Sequence, residues 1–380
     1  MPYYPQSPGF YPPLNSVTDA QLADMPDGTV KGREIGSGAG DPANIGRALS
    51  YRNILGRNGG FEVWQRGAGG SAAISVGAAG GAYTSDGWWL TTGANQASVV
   101  AQGAPGVAGS RFGANIFRSS GQTGVSIMVF EFPLDTDEIV MAQNSIVTLS
   151  FIAYCNAGWT PAGQALLVRF RTGTGAAAKR STVAFTGETD VIAATATLPV
   201  GTPQRLTFTS AVVVPTNATQ ASLQFLWTPV GTAGAADVWA IDDVQLEIGS
   251  VATPFERRPF ESELQACQRH YQKSFQYGMA PNSGVGINNG ELMGQTITGG
   301  ASSFSMFHSF GVRMRTSPSV AFYNPSAANG QVRNESASVD HSATVAFGAI
   351  DRCFGVASTG NAGGGVNQQC GVHWQADAGI

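Results

Sequence analysis

Between residues 125 and 248 one pattern recurs six times: VSIMVFEF (125–132), SIVTLSFIAY (145–154), ALLVRFRT (165–172), QRLTFTSAVVV (204–214), ASLQFLWT (221–228) and DVWAIDDVQLEI (237–248). Each run is rich in β-branched and aromatic residues, and Gly/Thr/Ala/Pro segments separate them, which is how strands joined by turns are written. Such spacing predicts an antiparallel sandwich in which alternate residues of two sheets share one core. In the last run Val238, Ala240, Val244, Leu246 and Ile248 share one parity and Asp242 interrupts it. Strict alternation would set that carboxylate on an apolar face, where it needs a partner.

Composition narrows the partners. The 380 residues are 43% hydrophobic and 12% charged, with 50 glycines, enough for a sizeable core and many turns. A net charge of -4, with no Lys/Arg run longer than two residues, leaves no electrostatic footprint for nucleic acid. MPYYPQSPGFYPPLNS at the start lacks the basic and apolar regions of a secretory signal. No apolar stretch approaches the roughly 20 residues that span a bilayer, so membrane insertion is not expected. Four scattered cysteines predict reduced thiols, with a Cys353–Cys370 bridge as the alternative.

The chain divides by composition. Residues 1–52 read as an extended arm punctuated by Pro and Gly, with a short hairpin following Asp27-Gly28. Residues 53–250 form the sandwich, and 251–276 contain a Pro-stiffened linker and a helix. Residues 277–380 return to strand patterning in SFSMFHSF, PSVAFYNP, ATVAFGAI, CFGVAS and CGVHWQADA. The helix, read over 260–275, aligns Leu264, Cys267, Tyr271 and Phe275 on one face. That stripe suits either a bundle of helices from several chains or packing against the chain's own sandwich.

Two motifs, Asn58-Gly59-Gly60-Phe61-Glu62 and Ile241-Asp242-Asp243-Val244, resemble the opening and closing motifs of carbohydrate-binding-module jelly rolls. MPDGTVKGREIGSGAGDP in the arm, residues 245–274 and MRTSPSVAFYNP (314–325) together resemble tailed-bacteriophage fibre and minor structural proteins. The resemblance implies a mainly β virion protein with an N-terminal arm that attaches to other virion proteins, a jelly roll, a C-terminal β domain and homotrimeric assembly. It implies adhesion to host-surface glycan, with a head or neck decoration role and a tailspike-like glycan depolymerase as alternatives. It also implies a structural calcium ion held in part by Glu62 and Asp242; the alternative is that backbone amides or an arginine such as Arg66 satisfy Asp242. No other cofactor is expected.

Aromatic rings are the natural glycan platform, because flat apolar faces stack on sugar rings. Tyr83, Trp88, Trp89, Trp159 and Trp227 are the candidates, and in the Trp88-Trp89 pair a strand would bury one ring and expose the other. Catalysis finds little support. His270, His308, His341 and His373 have no metal-ligand spacing, and the Asp135/Asp137/Glu138 cluster reads as a solvated loop rather than a glycosidase acid pair.

Overall fold

The computed structural model describes residues 30–32, 43–45, 52–67, 73–103, 109–287, 290–297, 302–341, 343–361 and 365–380. The chain forms two compact units, Met1–Arg52 and Asn53–Ile380. In the first, β1 (Val30–Gly32) pairs antiparallel with β2 (Ala43–Ile45); the expected Asp27-Gly28 turn lies outside the described residues. The second unit is mainly β, and the sandwich, helix and C-terminal strands all belong to it.

The sandwich comprises β3 (Ala73–Val76), β4 (Gly81–Tyr83), β5 (Trp89–Thr91), β6 (Ser98–Gly103), β7 (Gly113–Arg118), β8 (Met128–Leu134), β9 (Val147–Cys155), β10 (Ala165–Gly173), β11 (Thr189–Thr197), β12 (Gln204–Thr209), β13 (Gln220–Trp227) and β14 (Val238–Ile248). They form two six-stranded sheets, ordered β11-β10-β13-β8-β5-β4 and β12-β9-β14-β7-β6-β3, and every pairing is antiparallel. Each of the six runs read from sequence overlaps a strand, although 125–127 and 210–214 lie outside β8 and β12. Inward residues such as Leu90, Phe130, Phe225, Phe151, Trp239 and Leu246 merge into one core. Two strands of the jelly roll carry a break in alternation that sequence parity cannot show. In β14, Trp239 and Ile241 face the core, then Val244 and Leu246 do so, because Asp243 adds an extra residue opposite β9 between Asp242 and Gln245. Asp243 takes φ 47° to make the bulge. Asp242 therefore pairs with Ile152 on the outer side, which corrects its expected place on the apolar face.

The bulge receives the opening motif. Val244 N donates to Gly59 O at 2.9 Å, and Asn53 Nδ2 donates to Val244 O at 2.9 Å. Gly59 has no alternative, since a Cβ there would sit 2.3 Å from Val244 O.

Helix α1 (Thr136–Val140) contains part of the DTDE cluster, and Glu138 Oε2 accepts from Asp135 N at 2.7 Å across its first turn. Helix α2 spans Phe260–Gln268, with Glu261 and Glu263 in its first turn. It stops seven residues before the expected end at 275 because the chain is captured by a sheet: Tyr271–Lys273 becomes β15, pairing with Gln375–Asp377. The predicted stripe thus splits: Leu264 and Cys267 stay on α2, Tyr271 joins β15 and Phe275 follows beyond it. Cys267, Tyr271 and Phe275 are buried within this chain, Phe275 stacking on His373 at 4.4 Å, and Leu264 is half-buried. Internal packing, rather than a helical bundle between chains, accounts for this face.

The C-terminal strands are β16 (Leu292–Gln295), β17 (Ser302–Ser309), β18 (Ser319–Tyr323), β19 (Arg333–Asn334), β20 (Val339–Asp340), β21 (Ala343–Phe347), β22 (Cys353–Asn361) and β23 (Gln369–Asp377). β23 pairs with β15, β16, β18 and β19, while β17-β22-β21 form a separate sheet. Two small cores, around Phe354/Trp374 and around Phe304/Val372, replace the single large one. Charge stitches this lobe to the sandwich. Asp135 lies 3.1 Å from His270 Nε2 and 2.8 Å from Arg315 Nε, while Arg57 meets Glu138 at 2.9 Å. Burial opposes ionisation of Asp135, but the His270 hydrogen bond and the Arg57 charge hold it well below the usual carboxylate range. Burial, with Arg57, pushes His270 down to about 4, and burial pushes Glu138 up to about 7. Of the cluster expected to be a solvated loop, Asp137 is exposed, but Asp135 and Glu138 form a half-buried joint; their partners lie too far along the chain for local pattern to reveal them.

Candidate functional site

The outer face of the β8 sheet brings four different chemistries into one row. Leu90, Phe130, Phe225 and Val168 point into the core, so alternation turns their neighbours Trp89, Glu131, Gln224 and Arg169 outward. Registry then aligns them: Trp89 opposite Glu131, Glu131 opposite Gln224, and Gln224 opposite Arg169. An indole, a carboxylate, an amide and a guanidinium cross four adjacent strands side by side.

The loop 174–188 between β10 and β11 lies against this row. Ser181 gives its amide to Glu131 Oε1 at 3.2 Å and its hydroxyl to the same oxygen, while Glu131 Oε2 accepts from Ser222 Oγ at 2.9 Å and Gln224 Nε2 at 3.1 Å. Thr91 and Ser181 hydroxyls meet at 2.8 Å. Lys179 Nζ stands 4.6 Å from the Trp89 ring and 4.9 Å from Tyr83, a cation over two aromatic faces. Glu131 is wholly buried yet saturated with donors. Gln224 is not: its Oε1 is buried and has no hydrogen-bond partner among the described residues, an arrangement that costs about 1–3 kcal/mol unless a donor arrives.

The aromatic candidates separate cleanly. Trp88 is fully buried, stacked on Phe130 at 4.9 Å and donating to Asn58 O at 3.0 Å. Trp159 (4% exposed) and Trp227 (2%) are also core residues, so none of these three offers a ring face to a ligand; this corrects the proposal of Trp88 and Trp159 as glycan contacts. Trp89 alone among the seven tryptophans is half-buried rather than buried. Its indole lies over Gly81, where a Cβ would come within 2.5 Å of the ring, and Tyr83 meets it edge-on at 5.0 Å. Tyr83 is half-buried and also contacts the C-terminal lobe, its hydroxyl accepting from Ile380 N at 3.0 Å. Sequence reasoning reached Trp89 and Tyr83 but missed Glu131, Gln224 and Arg169, which only cross-strand registry assembles.

The expected calcium pair does not converge. Glu62 lines a depression with Gly60, Phe255, Arg257 and Glu263, whereas Asp242 lines another with Gly113, Asn115, Ile152 and Tyr154. The Gly59 and Glu62 carbonyls already accept from Val244 N and the Tyr277 hydroxyl. Among the described residues no group of three or more His, Cys, Asp or Glu side chains is placed to hold a metal. Arg66 does not satisfy Asp242 either; it pairs with Asp377 at 2.8 Å. Instead Asp242 Oδ1 accepts the Asp243 amide at 2.6 Å.

All four cysteines are free. Cys370 Sγ lies 3.6 Å from His341 Nε2, and His341 Nδ1 lies 2.8 Å from Ser358 Oγ. All three side chains are buried; burial pushes the Cys370 thiol up to about 11 and His341 down, so this contact packs a protonated thiol rather than activating one. Among the described residues no helix is long and apolar enough to cross a membrane.

No protein-family model matches the chain, and no curated protein does. Among solved structures, the chain is similar to the CBM22-1 xylan-binding domain from Paenibacillus barcinonensis Xyn10C at 18% identity, covering 49% of this chain and 99% of that one, with a TM-score of 0.28. It is similar to the enzymatically active domain of bacteriophage CBA120 tailspike protein 4 at 14% identity, covering 54% of this chain and 23% of that one, with a TM-score of 0.28. A cyclase from Fischerella sp. matches at 17% identity over 52% of this chain and 95% of its own, with a TM-score of 0.30. Likeness at this level assigns the chain to no family.

Proposed function

We propose that this chain is a structural protein of a phage virion whose sandwich adheres to host-surface glycan through the outer face of the β8 sheet. The observation that carries the adhesive reading is the buried Gln224 Oε1, which has no hydrogen-bond partner among the described residues, in line with Trp89, Glu131 and Arg169. A sugar hydroxyl can donate to that amide oxygen beside the half-buried Trp89 indole, and the Arg169 guanidinium can donate to further sugar oxygens, while Glu131 holds the row together from beneath. The virion reading rests on the sequence resemblances in the arm, at 245–274 and at 314–325. Residues 1–52 would contact other virion proteins, and homotrimeric copies would turn weak single contacts into firm attachment by effective concentration.

Binding fits this surface better than cleavage. Asp135 and Glu138, the carboxylates nearest to a glycosidase pair in sequence, are committed to Arg57, His270 and Arg315. The test is titration of the folded protein with host-envelope oligosaccharides, comparing wild type with Trp89→Ala. A roughly tenfold weakening is expected, the scale of one lost aromatic contact; unchanged affinity would remove the β8 face from the reading. Negative-stain imaging of labelled virions should place the chain on the tail, and a label at the head or neck would favour a decoration role.

A further inference from the structure

In the C-terminal lobe, the β17-β22-β21 sheet turns an uncharged, apolar face outward. Phe304, Phe354 and Val356 fill the small cores beneath it, so alternation sends Ser305, Phe307, Gly355 and Ala357 to the opposite side. Registry lays out two rows there: Phe307 opposite Gly355 opposite Phe347, and Ser305 opposite Ala357 opposite Val345. The Phe347 ring covers Gly355, leaving no room for a Cβ, and meets the Phe307 ring edge-on at 5.0 Å. The rings form a ridge, and the small side chains of Ser305 and Ala357 a trough beside it. Phe307 is 65% exposed, more than any other large apolar side chain among the described residues, and Val345 is 56% exposed.

The outer side of β10 and β11 shows how this chain clothes a sheet that it leaves in water: Arg171 pairs with Asp190 at 2.6 Å and with Glu188 at 3.5 Å. Neither row on the β17-β22-β21 face carries a charge. Single exposed apolar side chains are ordinary, whereas a contiguous set of them marks a contact surface. The edges of the sheet point the same way. β17 (SSFSMFHS) and β21 (ATVAF) contain no Asp, Glu, Lys, Arg or Pro, and among the described residues β22 is the only strand that either pairs with. Open strands are normally blunted by charge or proline; these two are not.

We propose that the outer face of this sheet is a contact between copies of this chain. The proposal rests on the multiplicity in the reading above and gives it a surface, with the rings of one copy seated on Ser305 and Ala357 of the next. A second uncharged face covers these rows without desolvating a charge. A charged partner finds nothing on them to pair with, and an anionic lipid surface finds no basic residue.

Sedimentation of the full chain over a range of concentrations tests the contact, with Cys353 as a built-in reporter. Cys353 stands opposite Ser309 on the same face and is half-buried, whereas Cys155, Cys267 and Cys370 are buried. Phe307→Asp should weaken self-association roughly tenfold or more, the worth of one buried ring, with an unchanged thermal midpoint. At a concentration where wild type assembles, Cys353 should alkylate faster in the variant by a similar factor. Val345→Lys, on the other row, should act in the same direction. Unchanged association of both variants, or Cys353 labelling in assembled wild type as fast as in the variants, overturns the interface and leaves the proposed multiplicity standing. A wild type that stays monomeric at every concentration overturns the interface and the multiplicity together, while Trp89→Ala still reports on the β8 face alone.

Discussion

The two outer faces of the sandwich each bury a carboxylate, Glu131 on one and Asp242 on the other, and treat it in opposite ways. Glu131 collects donors from Ser181, Ser222 and Gln224. Asp242 accepts the Asp243 amide on one oxygen and collects far fewer donors among the described residues, and burial suppresses its ordinary acidity. The difference lies in the connections. A long loop between β10 and β11 brings Ser181 back over the first face, whereas on the second a bulge turns Asp243 toward Arg257 and leaves Asp242 behind. A sheet face is therefore not polar or apolar by its strands alone; the loops decide which polar groups are spent on the protein itself.

The largest effect should come from removing the satisfied carboxylate. Glu131→Ala strands several buried donors and should cost about 3–5 kcal/mol, read from denaturant midpoints; a cost below about 1 kcal/mol would mean that the donors find other partners. The opposite face should respond with the opposite sign. A carboxyl whose folded pKa is raised loses stability as pH climbs from its ordinary value near 4 through about 8. Asp242→Asn should therefore stabilise the protein at neutral pH by about 1–3 kcal/mol, the penalty of one buried polar group. The gain should grow between pH 4 and 8 and level off above, as thermal midpoints across pH would show. A flat difference would place the two faces on the same footing. Smallest is Ser181→Ala, expected to cost about 1 kcal/mol for one hydrogen bond while leaving the Trp89 row folded; a loss as large as that of Glu131→Ala would make the loop, not the sheet, the main support of that face.

Much of this architecture is legible in the sequence. Every alternating run contributes to a strand, though 125–127 and 210–214 do not, and the Asn58–Glu62 and Ile241–Val244 motifs meet in space. Parity failed at Asp243, because a period of two cannot register an inserted residue. Helical spacing failed after Gln268, because Tyr271 fits a helix face locally and was claimed by a strand about 100 residues away, with Phe275 beyond it stacked on His373. The Trp88-Trp89 pair was legible as one buried and one outward ring, but not which. Glu131 looked like any strand residue; its significance depends on Gln224 and Arg169, which no local window contains.

The docking of Gly59 against Val244 sets an order in time. Asn53 and Val244 are separated by 191 positions, and contacts of such separation form late because a long loop must close before they repay it. The first residues of the sandwich to leave the ribosome must therefore wait for the last of its strands. Until β14 is made, the segment that opens this domain has no place to settle, and the sandwich completes itself only when its beginning and its end arrive together.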